Sequence, residues 1–121
     1  MTDEELFAFL RDTIVSEKLY LDYRIDRQQL MDRFHISKDR IGAAFAQGSE
    51  YRSLIDFLNE TRLNYSARLL IHHPEMTIEE IAISSGFNNA TTFGRNFKLR
   101  YALTPTEFRS QSDKNSATNR H

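Results

Sequence analysis

The stretch TIEEIAISSGFNNATTFGRNFKLRYALTPTEFR, Thr77 to Arg109, decides the fold of this 121-residue chain. Thr77 with Glu80 three positions later is a capping-box pattern, and Ile81, Ala82 and Ile83 make the helix it opens apolar. Ser85-Gly86 is a stop signal, because glycine accepts the left-handed conformation in which helices end. Phe87-Asn88-Asn89 then forms a turn, and Ala90 to Tyr101 is predicted as a second helix, with Phe93, Phe97 and Tyr101 at i, i+4 and i+8. Thr104-Pro105-Thr106-Glu107 supplies a cap, a proline at the first helical position and a glutamate at the third, so a short closing helix returns Phe108 to the core.

Upstream, His72-His73-Pro74 ends a longer helix, since proline cannot continue the hydrogen-bond ladder. That helix runs from about Arg52 to Ile71 with Leu54, Ile55, Leu58, Leu63, Leu69 and Leu70. At about 1.5 Å per residue it is roughly 30 Å long. Before it the helix–turn–helix design occurs once more. Asp26 caps a helix to Arg33 carrying Leu30 and Met31, with Phe34 beyond, His35-Ile36-Ser37 turns the chain, and Ser37 caps Lys38 to Phe45 with Ile41, Ala44 and Phe45 buried. A further helix spans Glu4 to about Lys18, with Thr2 and Glu5 as its capping box. The expected fold is therefore all-α, with about seven helices in two helix-turn-helix subdomains joined by a long central helix. Residues 1–51 hold the first helix and first pair, 52–73 the linker helix, 74–109 the second pair and closing helix. Residues 110–121 have too little to bury and are expected to be a disordered tail.

Composition narrows the function. The absence of cysteine removes disulfides, thiolate metal sites and thiol nucleophiles, and suits a cytoplasmic protein. No apolar run approaches the roughly 20 residues of a membrane span, and the acidic start Asp3-Glu4-Glu5 is unlike a signal peptide. The net charge of −1 at first argues against nucleic acid. Its distribution reverses that: residues 1–60 hold 12 Asp and Glu against 8 Lys and Arg, whereas residues 61–121 hold 5 against 8. The second half is the better phosphate-facing surface.

The two blocks share a hydrophobic rhythm, Ile25…Leu30…Phe34-His35-Ile36-Ser37…Ile41…Phe45 beside Ile78…Ile83…Ser85-Gly86-Phe87-Asn88…Phe93…Phe97. From about Leu19 to Arg109 the chain resembles the AraC-type transcription regulators, and Ile81-Ala82…Gly86-Phe87…Phe93…Phe97-Lys98…Thr104-Pro105…Phe108-Arg109 is similar to that family's signature in order and spacing. The resemblance implies a bacterial regulator that inserts the second helix of each unit into adjacent major grooves on one DNA face, about 34 Å apart. It implies double-stranded DNA and RNA polymerase as partners, no cofactor, and a sensor or dimerisation domain outside this chain.

On the second recognition helix the resemblance places Asn89, Ala90, Thr91, Thr92 and Arg95 where bases are read, with Arg95 the leading reader, because amides, hydroxyls and guanidinium match base edges and the thymine methyl. Thr77, Asn88, Lys98, Arg100 and Thr104 suit phosphates, through charge or helix N-termini. The first recognition helix departs from the family: Lys38, Asp39 and Arg40 can reach far, but Gly42, Ala43 and Ala46 stand where relatives place long polar side chains. Lys38, Asp39, Arg40 and Gly42 are its candidate base readers, but the unit is expected to give mainly phosphate contacts and close backbone approach, the second unit carrying more of the sequence reading. Solvated charge is the ordinary fate of any helical Lys or Arg, and only the motif context raises these above it.

Other constellations carry little. His72-His73 has no zinc-finger or HExxH spacing, and Glu4-Glu5 and Glu79-Glu80 fall in first turns, where they complement the helix dipole. No residue set supports an enzyme. The competing reading is a helical protein-interaction adaptor that kept the fold and lost DNA binding, prompted by the acidic first half; an adaptor has no use for Asn89, Thr91, Arg95 and Lys98 together.

Overall fold

The computed structural model describes residues 1–119, and among them all regular structure is helical. The helices are α1 (Asp3–Ser16), α2 (Arg27–Phe34), α3 (Lys38–Ala46), α4 (Leu54–His72), α5 (Ile78–Ser84), α6 (Ala90–Tyr101) and α7 (Pro105–Asn119), with a 3-10 turn at Leu19–Leu21 after α1. All seven starts are set by short polar side chains that satisfy first-turn N–H groups, Ser53 doing so for α4 and Thr104 for α7. Thr2, Asp26, Ser37, Thr77 and Asn89 each accept a hydrogen bond from the amide three residues on. In the α1 box Glu5 also accepts from the Thr2 N–H, at 3.1 Å.

The chain divides into an N-terminal unit, Met1–Asn59, and a C-terminal unit, Glu60–His121. The boundary falls inside α4, the expected linker helix. Leu54, Phe57 and Leu58 are buried in the first unit and Leu63 and Leu70 in the core of the second, so each unit claims one end of the helix.

In the N-terminal unit α1 packs on α3 and α2 on α3. Phe7 is the hub: its ring meets Phe45 at 5.3 Å and Phe57 at 6.0 Å, both edge-on, a favoured aromatic geometry. Gly48 lets the chain leave α3 beneath α1, since a β-carbon there would stand 2.4 Å from the Asp3 carbonyl oxygen.

In the C-terminal unit Leu63, Leu70, Ile81, Ala82, Phe87, Phe93 and Phe97 form the core, with Tyr101 and Phe108 packed against it. The α5–α6 turn needs Gly86, whose φ of 95° is the left-handed region. α6 ends on Ala102 in the same region, at φ 64°, a place usually given to glycine.

α7 differs from expectation by running to Asn119 rather than stopping near Arg109. Nothing between Pro105 and Asn119 breaks a helix once Thr104 and Glu107 have nucleated it: the stretch holds no glycine and no further proline. Residues 120 and 121 of the expected tail lie outside the described residues.

The turn after α4 is held by a side chain whose role the sequence did not reveal. Arg109 donates from Nε to the Leu70 carbonyl at 3.2 Å, from Nη1 to Met76 at 2.9 Å and from Nη2 to His73 at 3.2 Å. Leu70 and His73 are at the C-terminal end of α4, where a helix leaves acceptors unpaired and favours a cation, and Met76 is in the turn that leads to α5. Arg109→Lys keeps the charge but loses the planar fork, and is expected to cost about 1–2 kcal/mol in urea unfolding. An unchanged midpoint would mean the three bonds contribute nothing.

Candidate nucleic-acid interface

The polar residues singled out above lie on and around α3 and α6, the second helices of the two pairs, except Thr77 and Thr104, which cap α5 and α7. On α6 the anchors are Phe93 and Phe97, both 0% exposed, and the opposite side carries Thr91, Arg95, Lys98 and Leu99, all exposed. Thr91, Arg95 and Leu99 stand one above the other at i, i+4 and i+8. Arg95 and Lys98 make no ion pair or hydrogen bond among the described residues, so their cationic ends are available to a ligand. Thr92 and Ala90 are half-buried.

Two of the α6 candidates have intramolecular work. Asn89 Oδ1 accepts from the Thr92 N–H at 2.8 Å, making Asn89 the cap of α6 and leaving its Nδ2 as the outward-facing donor. Arg100 donates to Glu60 at 3.2 Å and lies over the Tyr101 ring at 5.2 Å. Tyr101 in turn donates from its hydroxyl to Asn64 Oδ1 at 2.8 Å, and burial pushes its phenol above the ordinary value.

At the helix starts, Thr77 Oγ1 accepts from the Glu80 N–H at 3.0 Å. Thr104 and Glu107 form a reciprocal box, the Thr104 N–H donating to Glu107 Oε1 at 2.9 Å and the Glu107 N–H to Thr104 Oγ1 at 3.1 Å. The Thr104 amide offered to a phosphate by sequence is thus already engaged. Asn88 is exposed at the mouth of the turn.

The same bonds hold the Glu107 carboxyl below its ordinary 4.5, first through the Thr104 amide and then the Thr104 hydroxyl. A carboxylate with a depressed folded pKa stabilises above the unfolded value, and that stabilisation is lost as pH falls through the folded value. Glu107→Ala is therefore expected to melt below the parent at neutral pH, the two curves converging in acid below 4.5. Melts repeated across that range would show the gap closing; a gap independent of pH would mean that the charge of the carboxylate does not carry the loss.

On α3 the exposed face begins with Lys38, Asp39 and Arg40. Arg40 Nη2 donates to the Met1 carbonyl at 3.0 Å, which draws this candidate reader toward the start of α1. Gly42 is half-buried with Ala43 beside it, and Gly42 lines a depression of about 400 Å³ together with Arg27, Arg52 and Ile55. Arg27 and Arg52 were not singled out by sequence; they precede no motif, and only folding brings them to Gly42.

Among the described residues no group of three or more His, Cys, Asp or Glu is gathered as a metal site, and no helix is long and apolar enough to cross a membrane. His73 Nδ1 lies 3.0 Å from Glu75.

A helix fixed by two buried apolar anchors and entered through a tight capped turn occurs twice in this chain, with Ile41 and Phe45 holding α3 and Phe93 and Phe97 holding α6. That arrangement defines a paired helix-turn-helix module of the DNA-binding transcription-regulator class. Residues 30–111 match the family model described as a helix-turn-helix domain, and the chain belongs to the AraC-type helix-turn-helix family.

It is 33% identical over 95 residues to the HTH-type transcriptional regulator MtrA of Neisseria gonorrhoeae, covering 78% of this chain and 27% of that protein. It is 28% identical over 112 residues to the regulator YijO of Escherichia coli, covering 89% of this chain and 36% of that protein. The chain thus spans about a third or less of the length of these curated relatives. Its fold is similar to the C-terminal domain of AraT, a response regulator from Geobacillus stearothermophilus, with TM-score 0.75 and 22% identity over 84% of this chain and 82% of that one. It is likewise similar to the DNA-binding domain of AdpA, solved with a target DNA, with TM-score 0.72 and 19% identity over 87% and 90% of the two chains.

Proposed function

We propose that this chain is the sequence-reading module of a bacterial transcription regulator, binding double-stranded DNA with α6 in one major-groove segment and α3 in another. The observation that carries it is the outer face of α6, where Thr91, Arg95 and Lys98 are exposed on a helix locked by Phe93 and Phe97. A guanidinium one turn into such a helix is suited to the O6 and N7 acceptors of guanine, and a threonine methyl to thymine. Lys98 and Asn88 take phosphates, and the Asn89 Nδ2 hydrogens a base or phosphate beside the cap. Thr92 and Ala90 contribute contact at the groove edge. Arg100, paired with Glu60, and the capping residues Thr77 and Thr104 act mainly by fixing the helices that carry these groups.

In the N-terminal unit Lys38, Asp39 and Gly42 face the duplex, Arg40 being shared with the Met1 carbonyl. Base reading therefore falls mostly to the C-terminal unit. Contact with RNA polymerase, signal reception and dimerisation belong to the whole regulator. The greater length of the curated relatives supports placing the last two in a segment outside this one.

Selection from a randomised duplex pool at low salt tests the proposal. One enriched asymmetric site, with affinity falling steeply as salt rises, is the expected result. Absence of enrichment together with salt-independent retention would favour the adaptor, for which the Ala43 and Ala46 of α3 already speak.

A further inference from the structure

α3 and α6 are superposable in sequence register. In each, the fourth and eighth residues are buried anchors, Ile41 and Phe45 in one and Phe93 and Phe97 in the other. In each, the fifth residue is glycine, Gly42 and Gly94. A glycine inside a helix is unfavourable relative to alanine and is kept where a backbone conformation or a close neighbour demands it. Neither demand exists among the described residues. Of the glycines only Gly86 has a positive φ, and a β-carbon built on Gly42 or Gly94 meets no described atom within 4 Å.

Both glycines instead open onto solvent beside cations. Gly42 shares its depression of about 400 Å³ with Arg27 and Arg52, and Gly94 lines one of about 700 Å³ with Arg95 and Lys98. None of these four side chains makes an ion pair among the described residues.

We propose that Gly42 and Gly94 are the approach-setting residues of the two recognition helices, side-chain-free so that each helix backbone can seat against the duplex while the flanking cations take its phosphates. The proposal rests on the DNA-binding reading and adds to it two things: Gly94 as the partner of Gly42, and Arg27 and Arg52 as the phosphate contacts of the N-terminal unit. It also accounts for the α3 face so poor in long side chains. A helix that seats closely uses its backbone and short groups, and longer residues would hold it away.

The test exploits opposite signs. Gly42→Ala and Gly94→Ala add a methyl in open space, so each should raise Tm by roughly 3–6 °C through helix propensity alone. Each should at the same time weaken binding to the selected duplex about 10-fold, and Gly→Leu at the same positions more, since leucine is also a good helix former and differs mainly in bulk. Arg27→Ala and Arg52→Ala should each reduce the slope of log affinity on log salt by about 1 without changing the preferred sequence. Raised Tm with unchanged or tighter binding across the alanine and leucine series would overturn the role of the glycines. If the parent chain itself enriches no duplex, the DNA reading and this proposal fall together, whereas an enriched site indifferent to Gly42 and Gly94 sinks the proposal alone.

Discussion

Phe97→Ala is expected to lower the stability of the C-terminal unit by about 3–5 kcal/mol, the range for deleting a fully buried phenylalanine. Phe97 is 0% exposed and is the ring through which α6 and α7 meet: its centroid lies 5.6 Å from Phe93, 4.6 Å from Tyr101 and 5.2 Å from Phe108, the first and last edge-on. The cavity left has no obvious filler, because Phe93 is itself fixed against Phe87 at 5.3 Å and Tyr101 is tethered by its hydroxyl to Asn64. For a unit of about 60 residues, total stability is on the order of 3–9 kcal/mol, so the substitution removes a third of it or more.

Thermal unfolding followed by far-ultraviolet dichroism should show helicity lost in two steps, the lower belonging to residues 60–119. DNA binding should fail at temperatures where that step is complete, although no polar residue has been touched. Phe97→Leu, which leaves a smaller void, should fall between. A loss under 1 kcal/mol would mean that the three ring contacts do not reflect the packing of the unit in solution.

The legibility of this fold follows from how locally each signal is written. α6 was delimited at both ends from sequence, because the turn before it, its phenylalanine spacing and the proline beyond it lie within one continuous stretch. α7 was not: beyond Phe108 it holds only Ala117 among apolar residues, so its continuation carries no periodic mark. Asn89 illustrates a different limit. An asparagine ahead of a recognition helix is both a good cap and a good base reader, and only the 2.8 Å bond to the Thr92 amide assigns its oxygen to the first role.

Arg40, Arg100 and Arg109 were indistinguishable in sequence from free surface cations. Their partners, the Met1 carbonyl, Glu60 and the end of α4, lie some 33 to 40 positions away and become neighbours only on folding. Arg95 and Lys98 make no ion pair or hydrogen bond among the described residues, although the Lys98 charge is felt at the Glu107 carboxyl.

That contrast makes Arg95→Ala the decisive functional substitution. Its guanidinium extends from the second turn of α6 in line with Thr91, on the side opposite the buried Phe93 and Phe97, and nothing in the fold depends on it. Stability should therefore be unchanged within about 0.5 kcal/mol, as for surface substitutions generally. Affinity for the selected duplex should drop about 10- to 100-fold, the equivalent of one bidentate base pairing, and discrimination should relax at a single base pair. Arg95→Lys separates the two possible contacts. A lysine can replace a phosphate-bound arginine and keep the salt dependence, but it cannot reproduce the planar fork on guanine, so a base reader loses specificity in the lysine variant too. Were the loss in Arg95→Ala instead uniform across sequences, with the salt slope reduced by about 1 and rescue by lysine, Arg95 would be a phosphate contact. Sequence reading would then have to come from Thr91 and the Asn89 amide. Arg100→Ala is the matched control: one turn further along, already paired with Glu60 and stacked on Tyr101, it has less charge to offer the duplex and should change affinity only slightly.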